Sequence, residues 1–593
     1  MNIVGISGLH NSVQFKRKEL PHLSRRDYRI VQGFDSAAVL VTSSGIKAAA
    51  AEERFSKEKA TGAFPINAIQ YCLQAGNITP DAIDYVAHGF SYEPFRKFYD
   101  GDEFVEKQFR DVYSHEVQMR CLHAHFSNHD LSRKLIPVAH HLAHAASAFY
   151  LSGFEESLIL IVDGMGEIHS TTIALGRHNN IRIIKQVRAP HSLGILYGVM
   201  TLYLGFELGM DEYKVMGLAP YGNPRRYFDK LMEFIQLHND GTYAIPLLCQ
   251  NYNLEEKETY RGTLQILANT FGPPREPGAE ITQDHKDIAA ALQAALQASL
   301  IHILRFFKRE TSQMNLCLAG GVALNCTANA VIKRSRMFKG LFVQPAAADD
   351  GSALGAALFV QRLHDPEASR QKMPLPFWGP HFETEAIQEA IARHPECEST
   401  HYDSFDNLLD SLIPHIAAGR VVAWFQGRME FGPRALGNRS ILADPRNPEM
   451  RNHINRLVKK REAFRPFAPA VTREAAIRFF DIDQGDESQY SYMLLTASVR
   501  PTYREQLPAV THVDGSARLQ IVSNEDHPRF WTLLNKFGAV SGIPVLLNTS
   551  FNLRGQPIVC TPDDALDAFL ISEIDILVIE NYLITHRDRQ SAG

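Results

Sequence analysis

The amino-acid sequence predicts an α/β protein of at least two domains, the first built from two similar β-β-β-α lobes that enclose a cleft. Two stretches, which begin at NIVGISG and at SLILIVDGMGE, repeat a pattern of three β-branched runs separated by Gly, Asn or Ser. Helical stretches follow each of them. The chain of 593 residues is also longer than one hydrophobic core usually supports.

A boundary between the two domains is predicted near residue 375. Residues 364–380, HDPEASRQKMPLPFWGP, have the proline content and polarity of an inter-domain linker. Beyond them the composition changes to arginines interleaved with Gly and Pro. We therefore expect one domain over residues 1–370 and a second over residues 375–593.

The composition is that of an ordinary globular protein, with 45% hydrophobic and 21% charged residues. A formal net charge of −5 provides no electrostatic footprint for nucleic acid or for an anionic membrane. The seven cysteines are scattered without a C-x-x-C motif, which indicates a reducing compartment. The start MNIVGISGLH lacks the features of a signal peptide, and the apolar runs are too short to span a bilayer. We expect a cytoplasmic protein with no membrane or nucleic-acid partner.

Four residues are candidate ligands of a metal ion. His140 and His144, in HHLAHAASAFY, share one face of a predicted helix, whereas His141 points elsewhere. Asp163 ends a buried-looking strand, where an acid is costly unless it is paired or bound to metal, and Asp349 lies at a predicted strand-to-helix turn. Two imidazoles and two carboxylates suit iron(II), manganese or zinc. The alternative is that the acids form turns and the histidines pack in the core or cap a helix.

A second set of residues predicts a phosphate or nucleotide site in the same cleft. The motif AGGVALN places Gly320 and Gly321, followed by Asn325, where a strand leads into a helix. Backbone amides and the helix dipole favour a phosphate at such a turn. The motif DEYKVMGLAPYG adds Lys214 beside Gly217. Close packing of the glycines and simple solvation of the lysine are the alternatives.

The C-terminal half contains a dense set of cations and small polar groups in loops broken by Gly and Pro. Guanidinium groups bind phosphate bidentately, and a lysine adds a point charge. The motifs FGPRALGNRS and FRPFAP set arginine between apolar residues, as in a pocket wall, although a solvated basic face is the alternative. The residues are Arg428, Arg434, Arg439, Lys459, Arg461, Arg465, Asn548, Thr549, Ser550, Asn552 and Arg554.

Motifs along nearly the whole chain resemble those of the ATP-dependent O-carbamoyltransferases of nodulation-factor and antibiotic biosynthesis. They are EERFSKEK, HHLAHAASAFY, IVDGMGE, EYKVMGLA, LAGGVALN, DDGSALGAA, GRMEFGPRALGNRSIL, NRLVKKREAFRPFAP and LLNTSFNLRGQPIV. The resemblance implies an N-terminal domain of the actin-like ATPase class, related to the tRNA-threonylcarbamoyl transfer protein. It also implies a C-terminal α/β domain similar to the threonylcarbamoyl-adenylate synthase fold.

The resemblance further implies a reaction in two steps. Carbamoyl phosphate and ATP give carbamoyl-adenylate and pyrophosphate in the C-terminal domain. The carbamoyl group then passes to a hydroxyl group of a small-molecule acceptor at the metal-bearing cleft. The implied cofactors are ATP, accompanied by Mg²⁺, and one divalent transition metal, which in the family is iron(II). We expect the protein to be a monomer or a homodimer.

The functional positions of the family fall on particular residues of this sequence. Its metal ligands match His140, His144, Asp163 and Asp349. Arg434 and Lys459 match catalytic positions, where cations neutralise phosphate while a carbonyl carbon is attacked. The expected contacts to ATP and carbamoyl phosphate are Lys214, Gly217, Gly320, Gly321, Asn325, Arg439, Arg465, Arg518, Asn548 and Arg554.

One motif departs from the family pattern. The family has H-D-S-A-A near the N-terminus, and its histidine is a candidate base for the acceptor hydroxyl. This chain reads GFDSAAVL, with Phe34 in the place of the histidine and Asp35 after it as a further expected catalytic residue. His10, in GLHNS, is the candidate substitute for the base, and a structural role is the alternative.

Two other functions are compatible with the domain plan. A tRNA-modifying carbamoyl transferase predicts a basic surface and salt-dependent RNA binding, which the acidic charge balance disfavours. An actin-like ATP-driven regulator or chaperone has no use for the histidine pair or for the arginine-rich second domain.

Overall fold

A computed structural model describes residues 1–459, 462 and 464–587 of the chain. The chain divides into two compact units. The first consists of Met1–Glu53 and Ala60–Met373, and the second consists of Arg54–Lys59 and Pro374–Gly593. The short segment Arg54–Lys59 groups with the second unit although the chain on both sides of it belongs to the first. The one boundary predicted from the sequence does not include this assignment of a short N-terminal segment to the second unit.

The first lobe of the first unit contains one five-stranded sheet. Its strands are β1 (Asn2–Ile6), β2 (Ala37–Thr42), β3 (Gly45–Ala51), β4 (Tyr85–His88) and β5 (Leu135–Pro137). They lie in the order β3-β2-β1-β4-β5, with β2 antiparallel to its neighbours and β1, β4 and β5 parallel. The helices of this lobe are α1 (Ser12–Glu19), α2 (Glu53–Ser56), α3 (Ile66–Gly76), α4 (Glu103–Gln108) and α5 (His115–His125).

The second lobe follows helix α6 (His140–Phe149) and contains a second five-stranded sheet. Its strands are β6 (Glu156–Gly166), β7 (His169–Arg177), β8 (Asn180–Arg188), β11 (Asn315–Ala319) and β12 (Gly340–Val343), and a separate ribbon pairs β9 (Gln236–Leu237) with β10 (Tyr243–Ala244). The helices are α7 (Leu193–Tyr203), α8 (Glu212–Leu218), α9 (Phe228–Met232), α10 (Leu254–Thr259), α11 (Arg261–Phe271), α12 (Gln283–Thr311), α13 (Cys326–Arg334) and α14 (Asp349–His364).

The two sheets share one topology. The order β12-β11-β6-β7-β8 repeats that of the first sheet, with β7 antiparallel to β6 and β8, and with β6, β11 and β12 parallel. In each lobe three antiparallel strands lead to helices and then to two strands parallel to the first. This duplication is the arrangement of the actin-like ATPases, and it confirms the predicted α/β fold class.

Helices α6 and α14 are exchanged between the two sheets. Helix α6 follows β5 of the first sheet but packs on β6 and β11 of the second, and α14 follows β12 of the second sheet but packs on β1, β2 and β4 of the first. The two helices cross in close contact, because a Cβ atom at Gly355 would lie 1.7 Å from the carbonyl oxygen of Ala143. The crossing brings the beginnings of both helices to one place.

The 29-residue helix α12 is apolar enough to cross a membrane by length and composition alone. However, 72% of its apolar window is buried inside the protein, which is typical of the core helix of a soluble protein. It packs against α8, α9 and α13.

The second unit is an α/β domain with a large mixed sheet. Its strands are β13 (Cys397–His401), β14 (Val422–Phe425), β15 (Arg439–Ala443), β16 (Ala468–Thr472), β17 (Phe480–Asp481), β18 (Thr496–Val499), β19 (Ser516–Arg518), β20 (Gln520–Val522), β21 (Val545–Ser550), β22 (Ile576–Ile579) and β23 (Tyr582–His586). Eight of them lie in the order β13-β23-β22-β14-β15-β21-β16-β20, and β17, β18 and β19 form a smaller sheet. The helices are α15 (Thr384–Ala392), α16 (Phe405–Ala417), α17 (Met450–Ile454), α18 (Arg473–Phe479), α19 (Pro528–Ser541) and α20 (Pro562–Ile571).

The core of this unit forms where α16 and α19 meet and cover the sheet. Leu408, Leu412 and Ile416 recur at helical spacing along α16 and are buried together with Trp424 of β14 and Phe530 of α19. The α/β class predicted for the C-terminal half is therefore confirmed, and its similarity to the threonylcarbamoyl-adenylate synthase fold stays a prediction.

Candidate metal centre

His140, His144, Asp163 and Asp349 converge in the first unit. One ligand atom from each of them lies within 4.8 Å of the others. His140 and His144 lie on the first two turns of α6, Asp163 lies on β6, and Asp349 is the first residue of α14. The crossing of the two exchanged helices over β6 therefore brings together side chains that are far apart in sequence.

The distances between these atoms fit the coordination of one small ion. His140 Nε2 lies 3.0 Å from His144 Nε2, 3.2 Å from Asp163 Oδ2 and 3.3 Å from Asp349 Oδ1. His144 Nε2 lies 4.0 Å and 3.9 Å from the same two carboxylate oxygens. Ligands about 2.1 Å from a metal lie about 3.0 Å apart at right angles and about 3.4 Å apart in a tetrahedron. Both the donor set and its spacing fit a divalent transition metal.

His140 presents Nε2 to the cluster because its other ring nitrogen is occupied. Nδ1–H donates to the carbonyl oxygen of Gly89 at 2.9 Å, which leaves the lone pair on Nε2. The ring of Phe90 stacks on the imidazole, with 4.1 Å between centroids and 10° between planes. His141 does not join the cluster, since its Nδ1 lies 2.8 Å from the hydroxyl of Thr172.

The carboxylate of Asp163 is oriented by a backbone N–H group. The backbone N–H of Gly321 donates to Oδ1 at 2.9 Å, which leaves Oδ2 toward His140. Gly320 has a φ of 87°, and a Cβ atom there would lie 2.5 Å from the carbonyl oxygen of Val162. The predicted glycine turn therefore approaches β6 closely and holds a ligand of the cluster.

Burial and mutual charge set the protonation of the cluster. Burial opposes ionisation of Asp163, but the hydrogen bond and charge of His140 and the charge of His144 hold the pKa of its carboxyl well below the usual range. Burial raises the pKa of Asp349 despite the neighbouring His140. Burial opposes protonation of His140, yet the two carboxylates raise its pKa well above the usual value. These directions favour a protonated His140 in the metal-free cluster, and metal binding would displace that proton.

Glu167 is a site residue that the sequence analysis missed. Its Oε1 accepts hydrogen bonds from the backbone N–H groups of Ser91, at 2.8 Å, and His140, at 2.9 Å. The side chain is buried, and burial raises the pKa of its carboxyl to about 7. The acid directly after the turn glycines of DGMGE is the sequence feature that could have indicated it.

The other residues predicted to contact a nucleotide in the first unit have protein partners. The ammonium group of Lys214 lies 2.9 Å from the carboxylate of Asp211, and Gly217 is buried within α8. The side chain of Asn325 accepts from the N–H of Ala328 at the start of α13 and exchanges hydrogen bonds of 3.1 Å and 2.9 Å with Gln293. Their contact with a nucleotide stays a prediction.

His10, the candidate base, is hydrogen-bonded to the backbone of the first unit. Its Nδ1 accepts a hydrogen bond from the backbone N–H of Phe64 at 3.2 Å, so the neutral ring carries its proton on Nε2 and has no free lone pair. Burial and the nearby His125 lower the pKa of His10, which favours this neutral form. These contacts favour the structural alternative for His10, and its role as a base stays a prediction. Asp35 has a φ of 51° just before β2, and its catalytic role stays a prediction.

In the second unit, buried polar side chains organise the loop that carries Arg434. Glu430 Oε1 accepts from the backbone N–H groups of Leu436, Asn438 and Arg439, at 2.7, 2.8 and 3.2 Å. Glu430 is 4% exposed. Because one carboxylate oxygen holds three amides, the loop has a defined shape, and Arg434 lies half-buried within it.

Arg439 is surrounded by protein groups, and its predicted contact with a nucleotide stays a prediction. The side chain is fully buried, and its guanidinium group stacks on the ring of Phe425, 3.5 Å from the centroid. Its terminal nitrogens donate to backbone carbonyl oxygens, so the group is enclosed by protein. The acceptors are Pro380, Gln426, Gly427 and Asn438.

The remaining predicted residues of this unit have different surroundings. Asn548 is 1% exposed and donates to the carbonyl oxygen of Ala435 and to Gln520, and it therefore supports the Arg434 loop from the sheet. Arg465 lies 3.6 Å from the carboxylate of Glu462. Arg518 is half-buried at the end of β19, and Arg554 is exposed. The side chain of Lys459 and the whole of Arg461 lie outside the described residues.

These features define a class of protein: an actin-like α/β domain with a buried metal-competent cluster, joined in one chain to an arginine-rich α/β domain. Residues 30–358 match the family model for the carbamoyltransferase N-terminus, and residues 414–586 match that for the carbamoyltransferase C-terminus. The chain belongs to the carbamoyltransferase family and is an enzyme that transfers carbamoyl groups, which confirms the predicted family.

Relatives of the chain include a nodulation protein and an O-carbamoyltransferase. The nodulation protein NolNO of Sinorhizobium fredii is 39% identical over 593 residues, which cover 99% of this chain and 83% of the relative. The 3'-hydroxymethylcephem-O-carbamoyltransferase of Amycolatopsis lactamdurans is 33% identical over 350 residues, or 58% of this chain and 59% of that one. Among solved structures, component A of the (R)-2-hydroxyglutaryl-CoA dehydratase of Acidaminococcus fermentans matches 60% of this chain and 97% of its own, with 11% identity and a TM-score of 0.31.

Proposed function

We propose that the protein is an ATP-dependent O-carbamoyltransferase that modifies a hydroxyl group of a small molecule in the cytoplasm. The observation that carries this proposal is the presence of both carbamoyltransferase domains in one chain whose first unit contains the His140–His144–Asp163–Asp349 cluster. The name of the 3'-hydroxymethylcephem-O-carbamoyltransferase supports a hydroxyl group of a small molecule as the acceptor.

The first half-reaction is assigned to the second unit. Water cleaves carbamoyl phosphate to carbamate and inorganic phosphate. A carbamate oxygen then attacks the α-phosphorus of ATP, and the bond to the β-phosphate breaks to release pyrophosphate. The product is carbamoyl-adenylate. Negative charge accumulates on several phosphate oxygens in both steps, so the site requires cations in fixed positions, with Mg²⁺ accompanying ATP.

Arg434 is the residue of this unit that we assign to the phosphates. The loop around it is held by Glu430 from within and by Asn548 from the sheet, so the guanidinium group extends from a rigid support. Arg465, Arg518 and Arg554 are assigned as further phosphate contacts, with Lys459 as a catalytic cation. The proposal rests here on the charge and geometry of guanidinium groups, which match phosphate bidentately.

The second half-reaction is assigned to the cluster of the first unit. The acceptor oxygen attacks the carbamoyl carbon of the adenylate, AMP leaves with the bonding electrons, and the hydroxyl proton is lost. A divalent transition metal bound by the four ligands, which we propose to be iron(II), supplies positive charge for the adenylate phosphate. His140 is fixed by Gly89 and Phe90, and Asp163 by Gly321, so the protein holds the donor atoms in place before substrate binds.

A separation of the two half-reactions tests this function. The full-length protein is supplied with carbamoyl phosphate, ATP, Mg²⁺ and a panel of hydroxylated natural products, and pyrophosphate and carbamoylated product are measured. We expect pyrophosphate release that requires carbamoyl phosphate in the wild type and in a His140→Ala/His144→Ala variant, with product only in the wild type. Arg434→Ala should lose pyrophosphate release, whereas the exposed Leu363→Ala should lose neither activity. Absence of carbamoyl-phosphate-dependent pyrophosphate release in the wild type would contradict the proposal.

A further inference from the structure

The turn between β6 and β7 contacts His140 from two sides. The carboxylate of Glu167 accepts the backbone N–H of His140 at 2.9 Å. On the other side, a Cβ atom at Gly166 would lie 2.5 Å from Cδ2 of the His140 ring. The same Glu167 oxygen accepts the N–H of Ser91, which lies two residues beyond the Gly89 carbonyl that binds His140 Nδ1–H. The turn therefore contacts both the main chain and the ring of this histidine.

Glu167 takes the place of a missing helix cap. The first N–H groups of a helix have no partner within the helix, and a side chain at the N-cap position usually accepts one of them. The N-cap residue of α6 is Ala139, which has no side chain able to do so. Glu167 satisfies the N–H of His140 from a different element, and a carboxylate at this end of a helix also interacts favourably with its dipole.

The backbone of Glu167 is held in a conformation that a glutamate rarely adopts. Its φ is 52°, in the left-handed region where glycine and asparagine are favoured. Such a conformation is unfavourable for a residue with a side chain and persists only where the surrounding structure enforces it. A glycine would relieve the backbone but remove the carboxylate.

From these contacts we infer that Glu167 is the positioning residue that sets the place of His140 in the metal cluster. By anchoring the first turn of α6 to the β6–β7 turn and to the Ser91 segment, it fixes the distance between His140 Nε2 and the ligand atoms of Asp163 and Asp349. The inference rests on the proposed metal centre. It assigns to that centre a residue that orients a ligand without binding the metal itself.

Substitutions at Glu167 separate its carboxylate from its backbone conformation. In E167Q the amide oxygen can still accept both N–H groups. In E167G the backbone is relieved and both acceptors are lost, and in E167D the charge is retained but the reach is shorter by one methylene. The matched control is H178G, which relieves the left-handed residue (φ 51°) at the exposed turn between β7 and β8, on the far end of the same strand.

The measurements are the dissociation constant for Co²⁺, from competition with a chromophoric chelator, the visible spectrum of the Co²⁺-loaded full-length protein, and the thermal unfolding midpoint. We expect E167G and E167D to bind Co²⁺ about 10- to 100-fold more weakly with an altered spectrum, as for other partners that orient metal ligands. E167Q should stay within about threefold of the wild type. E167G should lose more affinity for Co²⁺ than any fall in its unfolding midpoint accounts for, and H178G should bind Co²⁺ as the wild type does.

Wild-type affinity and spectrum in both E167G and E167D would overturn the positioning role while leaving the metal centre intact. A wild-type protein that binds no Co²⁺, Fe²⁺, Mn²⁺ or Zn²⁺ would overturn the metal centre and the positioning role together. If E167G loses affinity only in proportion to a fall in its unfolding midpoint, Glu167 stabilises the fold and does not position the ligand.

Discussion

The backbone N–H of Gly321 donates to Oδ1 of Asp163 at 2.9 Å, and this bond joins the glycine turn after β11 to the metal cluster. The turn had been predicted as a phosphate site, and Asp163 as a metal ligand. Their contact brings both predicted features together in the first unit, because β11 lies beside β6 in the sheet. A phosphate at this turn would therefore lie next to the ion that the cluster is proposed to hold.

The two carboxylate oxygens of Asp163 have different partners, since Oδ1 accepts the Gly321 N–H and Oδ2 lies toward His140. This difference predicts the properties of Asp163→Asn. The amide oxygen can still accept the Gly321 N–H, but the NH₂ group that replaces Oδ2 cannot bind a cation. We expect a folded protein whose affinity for a divalent metal falls by at least about 100-fold, since even outer contacts contribute about 10- to 100-fold. Metal content by elemental analysis should fall from about one ion per chain toward zero. Asp240→Asn, at an exposed acid of the same unit, is the control and should retain the metal.

The crossing of α6 and α14 predicts that Gly355 tolerates no side chain. A methyl group there would lie 1.7 Å from the carbonyl oxygen of Ala143, so the helices must separate. We expect Gly355→Ala to destabilise the first unit by about 1–3 kcal/mol or more and to weaken metal binding, because the ligands lie on both helices. Denaturant unfolding and metal titration measure these effects. Leu363→Ala, on the exposed side of α14, should change neither, and an equally stable Gly355→Ala protein would contradict the close crossing.

Arg434 and Arg439 are five residues apart, and substitution by lysine should reduce activity at Arg434 and stability at Arg439. Arg439 is buried against carbonyl oxygens, and each one left without a donor costs about 1–3 kcal/mol. We expect Arg439→Lys to lower the unfolding midpoint of the second unit. Arg434→Lys should leave the midpoint unchanged but strongly reduce pyrophosphate release, since lysine cannot bind phosphate bidentately. Loss of activity at Arg439→Lys without loss of stability would instead support a contact between Arg439 and the nucleotide.

The buried His88 predicts a dependence of stability on pH. Burial lowers the pKa of His88 to about 4 from its ordinary value of 6.5, although its hydrogen bond to the carbonyl oxygen of Gly8 opposes the shift. Between pH 6.5 and 4 the unfolded chain binds a proton that the folded one does not, so stability present above pH 6.5 is lost as the pH falls. The loss is about 1.4 kcal/mol per pH unit and reaches about 3 kcal/mol.

The variant His88→Gln isolates this contribution. Its side-chain amide can still donate to the Gly8 carbonyl but does not titrate. We expect the free energy of unfolding of the first unit, measured in denaturant at several pH values, to fall less steeply below pH 6.5 in this variant, by about one proton. His178→Gln, at an exposed histidine of the same unit, should retain the wild-type slope. An unchanged slope in His88→Gln would show that His88 is protonated in the folded protein.

Much of the first unit could be predicted from the sequence because its signals are local. The strand alternation and the turns of NIVGISG and SLILIVDGMGE predicted both three-stranded repeats, and the four-residue spacing of His140 and His144 placed them on one helix face. The chemistry of the acids at Asp163 and Asp349 indicated the other half of the cluster. By contrast, the sequence does not show that the guanidinium group of Arg439 faces a set of carbonyl oxygens, because that arrangement depends on contacts between distant segments.

The sequence by itself determined which segments become strands and helices and which residue types the cleft contains. Only the tertiary structure decided that α6 and α14 exchange sheets and that Gly89 leaves the lone pair of His140 on Nε2. It also decided that Nδ1 of His10 accepts a hydrogen bond from the backbone N–H of Phe64. Likewise, only the fold brings Glu167, which follows β6, to the first N–H group of α6. Secondary structure depends on neighbours within a few positions, whereas each of these contacts joins groups whose distance is set by strand order and helix crossing.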